Sequence, residues 1–265
     1  MIVPLELTGL TKTFQTPAGP FVAVKNVNAR IQRSEFVCIL GHSGCGKSTV
    51  LSMIAGLQKA TEGGVAINGR QIDAPGPDRA VVFQSPSLLP WLNARDNVML
   101  AVGRKLPPMN RAQRKAHAAT YLNLVGISES SAQMPAELSL GTQQCVSLAR
   151  ALALQPELLL LDEPFSMLDS LTRFDLQDTL LAAWEQNRKI VVMVTHDVDE
   201  ALYLADRLVL MTDGPEARVG EILSLPFARP RERHAVLEHP EYYNYRRRVI
   251  DFLEHHAKHA LVNRR

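Results

Sequence analysis

The sequence predicts an α/β fold built on a parallel sheet, and three observations carry that expectation. Short apolar runs recur at Phe36-Val37-Cys38-Ile39-Leu40, at Leu158-Leu159-Leu160-Leu161 and over residues 190–194. The first run ends abruptly at Gly41 and leads into residues 47–57, where Val50, Leu51, Ile54 and Leu57 stand at helical spacing. A helical stretch over 170–186 separates the second run from the third. Strand, helix and strand in this order form the repeating unit of a parallel sheet.

The remaining elements follow in order. Val81-Val82-Phe83 is a further short strand. From Pro86 the character changes: residues 111–125 are polar, alanine-rich and helical in potential, with Pro107, Pro108 and Pro135 around them. The stretch of about 86–155 therefore reads as a helical insert. Residues 226–265 are charged, hold five of the eight histidines and predict peripheral helices. Within them His255 and His259 lie one helical turn apart, but no acidic or cysteine cluster joins them, and a solvated helix face is expected. Arg246-Arg247-Arg248 reads as a solvated or lipid-headgroup-facing run, too short to specify a ligand.

Composition narrows the function classes. The 265 residues are 46% hydrophobic and 21% charged, too apolar for disorder as the main state. The length allows one large domain or two modest ones. Lys+Arg 29 against Asp+Glu 27 disfavours a general nucleic-acid binder. Cys38, Cys45 and Cys145 are too few for a disulfide scaffold and predict reduced thiols in a cytosolic compartment. No apolar run approaches the roughly 18–20 residues that span a bilayer. Pro4 and Glu6 interrupt the apolar opening, so no secretory signal is expected.

Two motifs carry chemistry. Gly41-His42-Ser43-Gly44-Cys45-Gly46-Lys47-Ser48 fits G-x-x-x-x-G-K-[ST] between a strand and a helix. Its glycines let successive backbone N–H groups face an anion, and the helix start adds a favourable dipole. Lys47 is placed to reach β- and γ-phosphates, and Ser48 to offer its hydroxyl to Mg²⁺. The second motif is the run 158–161 followed by Asp162 and Glu163, two carboxylates at the C-terminal end of a strand, where α/β sheets bind ligands. Asp162 suits Mg²⁺, directly or through a water, and Glu163 suits a general base for an attacking water.

Leu138-Ser139-Leu140-Gly141-Thr142-Gln143-Gln144 resembles the LSGGQ signature of the ATP-binding cassette (ABC) ATPases, and it precedes the acidic strand. Gln84 resembles the Q-loop glutamine of that family, Ser166-Met167-Leu168-Asp169 its D-loop and His196 its switch histidine. Phe14 stands where the family stacks an aromatic ring on adenine. The resemblance covers 5–222 and implies a P-loop NTPase of the ABC cassette type. Such a cassette has a parallel core sheet, an N-terminal antiparallel β-subdomain and an inserted helical subdomain; residues 223–265 form a helical tail.

ATP and Mg²⁺ are the implied cofactors. Nucleotide contacts fall on Phe14, Gly41, His42, Ser43, Gly44, Cys45, Gly46, Lys47, Ser48, Thr49, Gln84, Ser139, Gly141 and Asp169. Metal contacts fall on Ser48, Gln84 and Asp162, and catalysis on Glu163, His196 and Lys47. The implied partners are a second ATPase subunit, identical or paired, integral-membrane permease subunits and a periplasmic or lipid-anchored solute-binding protein. ATP would lie between one chain's phosphate loop and Ser139 and Gly141 of the second chain. The implied location is peripheral, on the cytoplasmic face of the cell membrane.

A finer resemblance lies in Gly76-Pro77-Asp78-Arg79, Leu88-Leu89-Pro90-Trp91-Leu92 and Thr195-His196-Asp197-Val198-Asp199-Glu200. These are similar to importers of nitrate, sulfonate, taurine and related anions. Gly214-Pro215-Glu216, Pro226-Phe227-Ala228-Arg229-Pro230-Arg231 and His239-Pro240 are similar to the nitrate/nitrite and cyanate branch. The function implied is the energising of small-anion import. A regulatory or weakly hydrolysing cassette and a soluble non-transport ABC ATPase stay open beside it. The first alternative draws on departures from the family pattern: Leu140 for a signature glycine, Thr142 for a glutamine and Cys145 for an arginine. Leucine would cost about 1–2 kcal/mol at a position of positive φ and little in ordinary helix. Trp91 is either core or part of an exposed apolar patch, and the resemblance favours a partner contact.

Overall fold

Runs buried on both faces make strands without alternation. All five side chains of 36–40 and all six of 190–195 are buried in the computed structural model, which describes residues 4–105 and 109–262. Pro107 and Pro108 lie outside the described residues. In chain order the elements begin with β1 (Leu5–Thr16), β2 (Gly19–Ile31), β3 (Phe36–Leu40), α1 (Lys47–Ala55), β4 (Glu62–Ile67) and β5 (Arg70–Gln71). They continue with β6 (Arg79–Val82), α2 (Ala94–Lys105), α3 (Arg111–Leu124), α4 (Leu140–Ala153), β7 (Leu158–Asp162) and α5 (Ser170–Asn187). Last come β8 (Ile190–Thr195), α6 (Val198–Leu204), β9 (Arg207–Met211), β10 (Val219–Ser224), α7 (Arg233–Leu237) and α8 (Tyr242–Val262). Among the described residues no helix is long and apolar enough to cross a membrane. The chain divides into two units: residues through Gly76 with those from Ile190 onward, and Pro77–Lys189.

The first unit holds two sheets. One is antiparallel, in the order β2-β1-β4-β5, with Leu5, Leu7, Leu10, Val24, Val27 and Ile31 turned inward. The other has β3 between parallel β8 and β9, with β10 antiparallel on the edge. The helix expected over 47–57 ends at Ala55, because Gly56 turns left-handed (φ +77°) and its N–H returns to the Met53 carbonyl. Leu57 is left exposed beyond that cap.

The block 226–231 has a structural explanation. The carbonyls at the end of α6 lack helical partners. The buried Arg231 donates to those of Tyr203 (2.9 Å) and Ala205 (2.5 Å), and Arg229 donates to that of Leu204 (2.6 Å). Arg229 also pairs with Asp206 at 2.9 Å, and the other oxygen of Asp206 accepts the Phe36 N–H, at the start of β3, at 2.9 Å. Burial, and then the like charge of Arg229, bring Arg231 down to about 10, so it stays a cation at neutral pH.

The tail is seated by charge. Tyr242 and Arg246 of α8 donate to Asp199 of α6 at 2.7 and 2.6 Å. Arg248 pairs with Glu221 of β10, its Nε at 2.8 Å. The arginine run expected to face solvent or headgroups therefore turns two of its three charges onto the chain itself. The His255 and His256 rings lie against each other, 5.3 Å between centroids, and the His259 side chain lies outside the described residues.

In the second unit β6 pairs in parallel with β7, and α2, α3 and α4 pack on one another. Asn110 starts α3 with a reciprocal cap: its side chain accepts the Gln113 N–H, and Gln113 accepts the Asn110 N–H. Replacing Arg231 by Ala strips the α6 carbonyls and Asp206 of their buried partner, at a cost of about 3–5 kcal/mol. The expected result is a melting temperature lower by roughly 6–20 °C, measured by calorimetry. An unchanged melting curve would show that this network does not seat α6.

Candidate nucleotide site

In the first unit the site grows from a strand register. Leu40 of β3 lies opposite Thr195 of β8, so Gly41 and His196 leave neighbouring strand ends. The loop between β3 and α1 then takes two left-handed glycines, Gly44 (φ +80°) and Gly46 (φ +97°). A Cβ on Gly46 would fall 2.5 Å from a Val24 methyl, so only glycine fits there. No side chain caps α1 and its first turn holds no acidic residue, which reserves the first-turn amides for an anion.

Lys47 is buried, and its ammonium donates to the carbonyls of Gly41 (2.8 Å) and His42 (2.9 Å). The Cys45 N–H closes the loop on the His42 carbonyl at 3.2 Å. Burial pushes the Cys45 thiol above its ordinary value, which keeps it protonated. Ser43, Gly44 and Ser48 are exposed, and Thr49 is half-buried. His196 is exposed on a loop fixed from below: Thr195 donates to Glu200 (2.5 Å) and accepts the Asp197 N–H (3.1 Å), while Asp197 caps α6 at Glu200 (3.0 Å). Phe14 is half-buried near the end of β1, with the Lys12 ammonium 5.2 Å from its ring centroid.

The second unit repeats the device. Val82 of β6 lies opposite Leu161 of β7, so Gln84 and Glu163 each stand two residues past the last pair. The Gln84 amide donates to Ser166 Oγ (3.1 Å), and Ser166 donates to the Glu163 carbonyl (3.0 Å). Glu163 itself is left-handed (φ +45°), a strained backbone for a non-glycine residue and one that clusters at active sites. Asp162 and Glu163 are half-buried.

The segments resembling the signature and the D-loop meet at Thr172. Asp169 caps α5, accepting the Thr172 hydroxyl (2.7 Å) and N–H (3.1 Å), which hold its carboxyl below the usual carboxylate range. A Cβ on Gly141 would fall 2.5 Å from the Thr172 methyl. Ser139 caps α4 by accepting the Thr142 N–H at 3.2 Å. Leu140 is the first helical residue of α4, so its position does not require glycine. Burial pushes the Cys145 thiol up to about 11.

Sequence reasoning missed three residues of this unit. Gln144 of α4 donates to the Phe83 carbonyl (3.1 Å), and Arg150 donates to those of Ser87 (3.0 Å) and Pro86 (3.1 Å). The buried Asn97 of α2 accepts the Leu89 N–H (2.9 Å) and donates to the Leu92 carbonyl (2.8 Å). The segment after Gln84 is thus pinned by two helices, and Trp91 protrudes from it, 69% exposed. Only Arg150, set among alanines and leucines near the end of α4, stands out in the sequence as a polar residue in an apolar helical stretch; Asn97 and Gln144 have polar neighbours and carry no such signal.

A glycine loop reserving helix-start amides for an anion, with a buried lysine behind it, defines a phosphate-loop nucleotide-binding protein. The family model described as ABC transporter matches residues 24–166, more than half the chain. The chain belongs to the ABC transporter family as one of its ATP-binding ATPase cassettes. It is 52% identical over 242 residues to the nitrate import ATP-binding protein NrtD of Synechococcus elongatus, covering 91% of this chain and 88% of that protein. It is 47% identical over 255 residues to the bicarbonate transport ATP-binding protein CmpD of Synechocystis sp., covering 96% and 90%. Among solved structures it resembles the dimeric post-hydrolysis ATP-binding cassette MJ0796 bound to ADP and Pi. That likeness has a TM-score of 0.76 and 34% identity over 84% of this chain and 100% of the other.

Because Leu140 sits in ordinary helix, Leu140→Gly relieves no strain and costs up to about 1 kcal/mol of helix propensity. The expected melting temperature is lower by roughly 2–4 °C. A rise would show that the leucine is strained.

Proposed function

We propose that this chain is the ATP-hydrolysing subunit of an importer for a small anion: nitrate, nitrite or a related solute such as bicarbonate, sulfonate, taurine or cyanate. It works as one of two ATPase subunits on the cytoplasmic face of the cell membrane, with integral-membrane permease subunits and a solute-binding protein. The observation that carries the reading is the pair of strand registers. One brings Gly41 and His196 to neighbouring strand ends, and the other does the same for Gln84 and the Asp162-Glu163 pair. Nitrate and bicarbonate are carried by the systems of the relatives named above, which supports the anion class.

In this reading residues 5–222 are the catalytic domain, with the helical insert at 86–155, and 223–265 are the tail. Phe14 stacks on adenine, the amides of 41–49 cradle the phosphates and Lys47 neutralises their charge. Ser48, Gln84 and Asp162 offer a hydroxyl, an amide oxygen and a carboxylate, an all-oxygen donor set that fits Mg²⁺. When bound, Mg²⁺ neutralises negative charge on the phosphate oxygens. Glu163 takes the proton of the attacking water, and His196 orients the γ-phosphate. Ser139, Gly141 and Asp169 serve the nucleotide from the second chain, so closure of the pair completes the catalytic arrangement.

Glu163→Gln keeps the shape and removes the base. It is expected to bind ATP while hydrolysis falls by about 10²-fold or more, whereas Lys47→Ala loses nucleotide affinity. Hydrolysis by Glu163→Gln at the parent rate would overturn the base assignment.

Trp91 is read as an anchor for a permease segment, being a large exposed apolar side chain on a pinned loop. Trp91→Ala is expected to leave the melting curve and ATPase rate of the isolated chain unchanged and to lower uptake by the reconstituted complex. Normal uptake would remove the contact from the mechanism.

A further inference from the structure

We propose that α8 is a positioning element of the nucleotide site, holding the phosphate loop at His42 and the histidine loop through Asp199. The inference rests on the reading that residues 41–48 bind ATP. His42 Nε2 lies 2.9 Å from the Leu253 carbonyl, 211 residues away in sequence. A carbonyl only accepts, so Nε2 carries the proton of this bond. A mid-helix carbonyl has a second lone pair free for such a donor.

His42 is the point where three ties meet. Its own carbonyl accepts the Cys45 N–H at 3.2 Å and the Lys47 ammonium at 2.9 Å, so the residue that reaches the tail also closes the loop and holds its lysine. At the other end of α8, Tyr242 and Arg246 grip Asp199, which stands in the first turn of α6, three residues past His196. Between these ends Arg248 pairs with Glu221, and Phe252 presses on Gly220, where a Cβ would fall 2.6 Å from the ring. Residues 246 and 253 are about 10 Å apart along a helix at 1.5 Å per residue. One rigid rod therefore touches both loops that this unit contributes to the site.

The consequence is preorganisation. A loop already held in its binding shape loses less freedom when phosphate arrives, so anchoring raises affinity with no contact to the nucleotide. Linkage is reciprocal: if the anchored tail favours ATP, then ATP favours the anchored tail.

The test uses the full-length chain with ATP and Mg²⁺, reading affinity by calorimetry and KM and kcat by phosphate release. His42→Ala is expected to weaken ATP binding and raise KM by about five-fold, with kcat within two-fold. His42→Gln, whose amide donates from nearly the same place, is expected to recover most of the loss. Leu253→Pro kinks α8 and withdraws the carbonyl. In that background His42→Ala is expected to cost nothing further. Parent-like affinity in His42→Ala, or the same loss in both backgrounds, would overturn the proposal. Should Leu253→Pro not fold, hydrogen exchange decides. ATP is expected to slow exchange over residues 246–256 in the parent and not in His42→Ala, and equal slowing in both would overturn the proposal. A parent chain that binds no ATP would instead remove the nucleotide reading itself.

Discussion

The structure depends on the register of strands that carry no alternation to specify it. A slip of one residue between β3 and β8 would part Gly41 from His196, yet every side chain along both strands is buried and all but the terminal Thr195 are apolar. Hydrophobic burial alone does not choose among such registers. Polar groups at the opposite ends of the strands do. The Val191 N–H bonds to the Glu35 carbonyl at 3.0 Å, the Asp206 N–H bonds to that of Phe36 at 2.7 Å, and Arg207 pairs with Glu35 at 2.7 Å. The second unit uses the same solution: the Glu157 and Leu158 N–H groups both reach the Asp78 carbonyl, at 2.7 and 3.2 Å. One end of each strand set locks the pairing, and the other end is released for chemistry.

Left-handed backbone is found at both ends. Glu163 and the glycines at 44 and 46 turn the chain as it leaves the strands, and Ser34, Gln155 and Arg188 turn it shortly before β3, β7 and β8. Two of the departures from the family signature, Leu140 and Thr142, fall in the first turn of α4, and Cys145 lies one turn further along it. Leu140 occupies the first turn of α4, and the close approach to α5 is left to Gly141.

Local patterns were legible in the sequence because their causes are local. The strand over 36–40 has the expected bounds, and the helix over 111–124 falls one residue short of the expected stretch. The glycine loop fits its motif because phosphate geometry dictates residue type at fixed spacing. Where tertiary contact decides, the sequence was silent. The helix over 94–105 escaped notice because its organising side chain, Asn97, is polar and buried. Nothing local marks Arg231, in a charged stretch of the chain, for the interior, yet its side chain is fully buried. Gln144 and Arg150 acquire meaning only once the segment they hold has been placed beside them.

The first unit is discontinuous, while the second is one uninterrupted stretch, Pro77–Lys189. During synthesis the chain meets this arrangement in time. Strand β3 leaves the ribosome before either of its sheet neighbours exists, since β8 begins about 150 residues later. At about 5–20 residues per second that is a wait of roughly eight to thirty seconds. Meanwhile the β1–β2 hairpin and the whole of the second unit can form from what has already emerged. The glycine-rich segment at 41–48 is therefore made well before the strands that flank β3 and is enclosed only after them. A nascent chain that stalls before residue 190 carries the complete glycine motif on an apolar strand with nothing beside it.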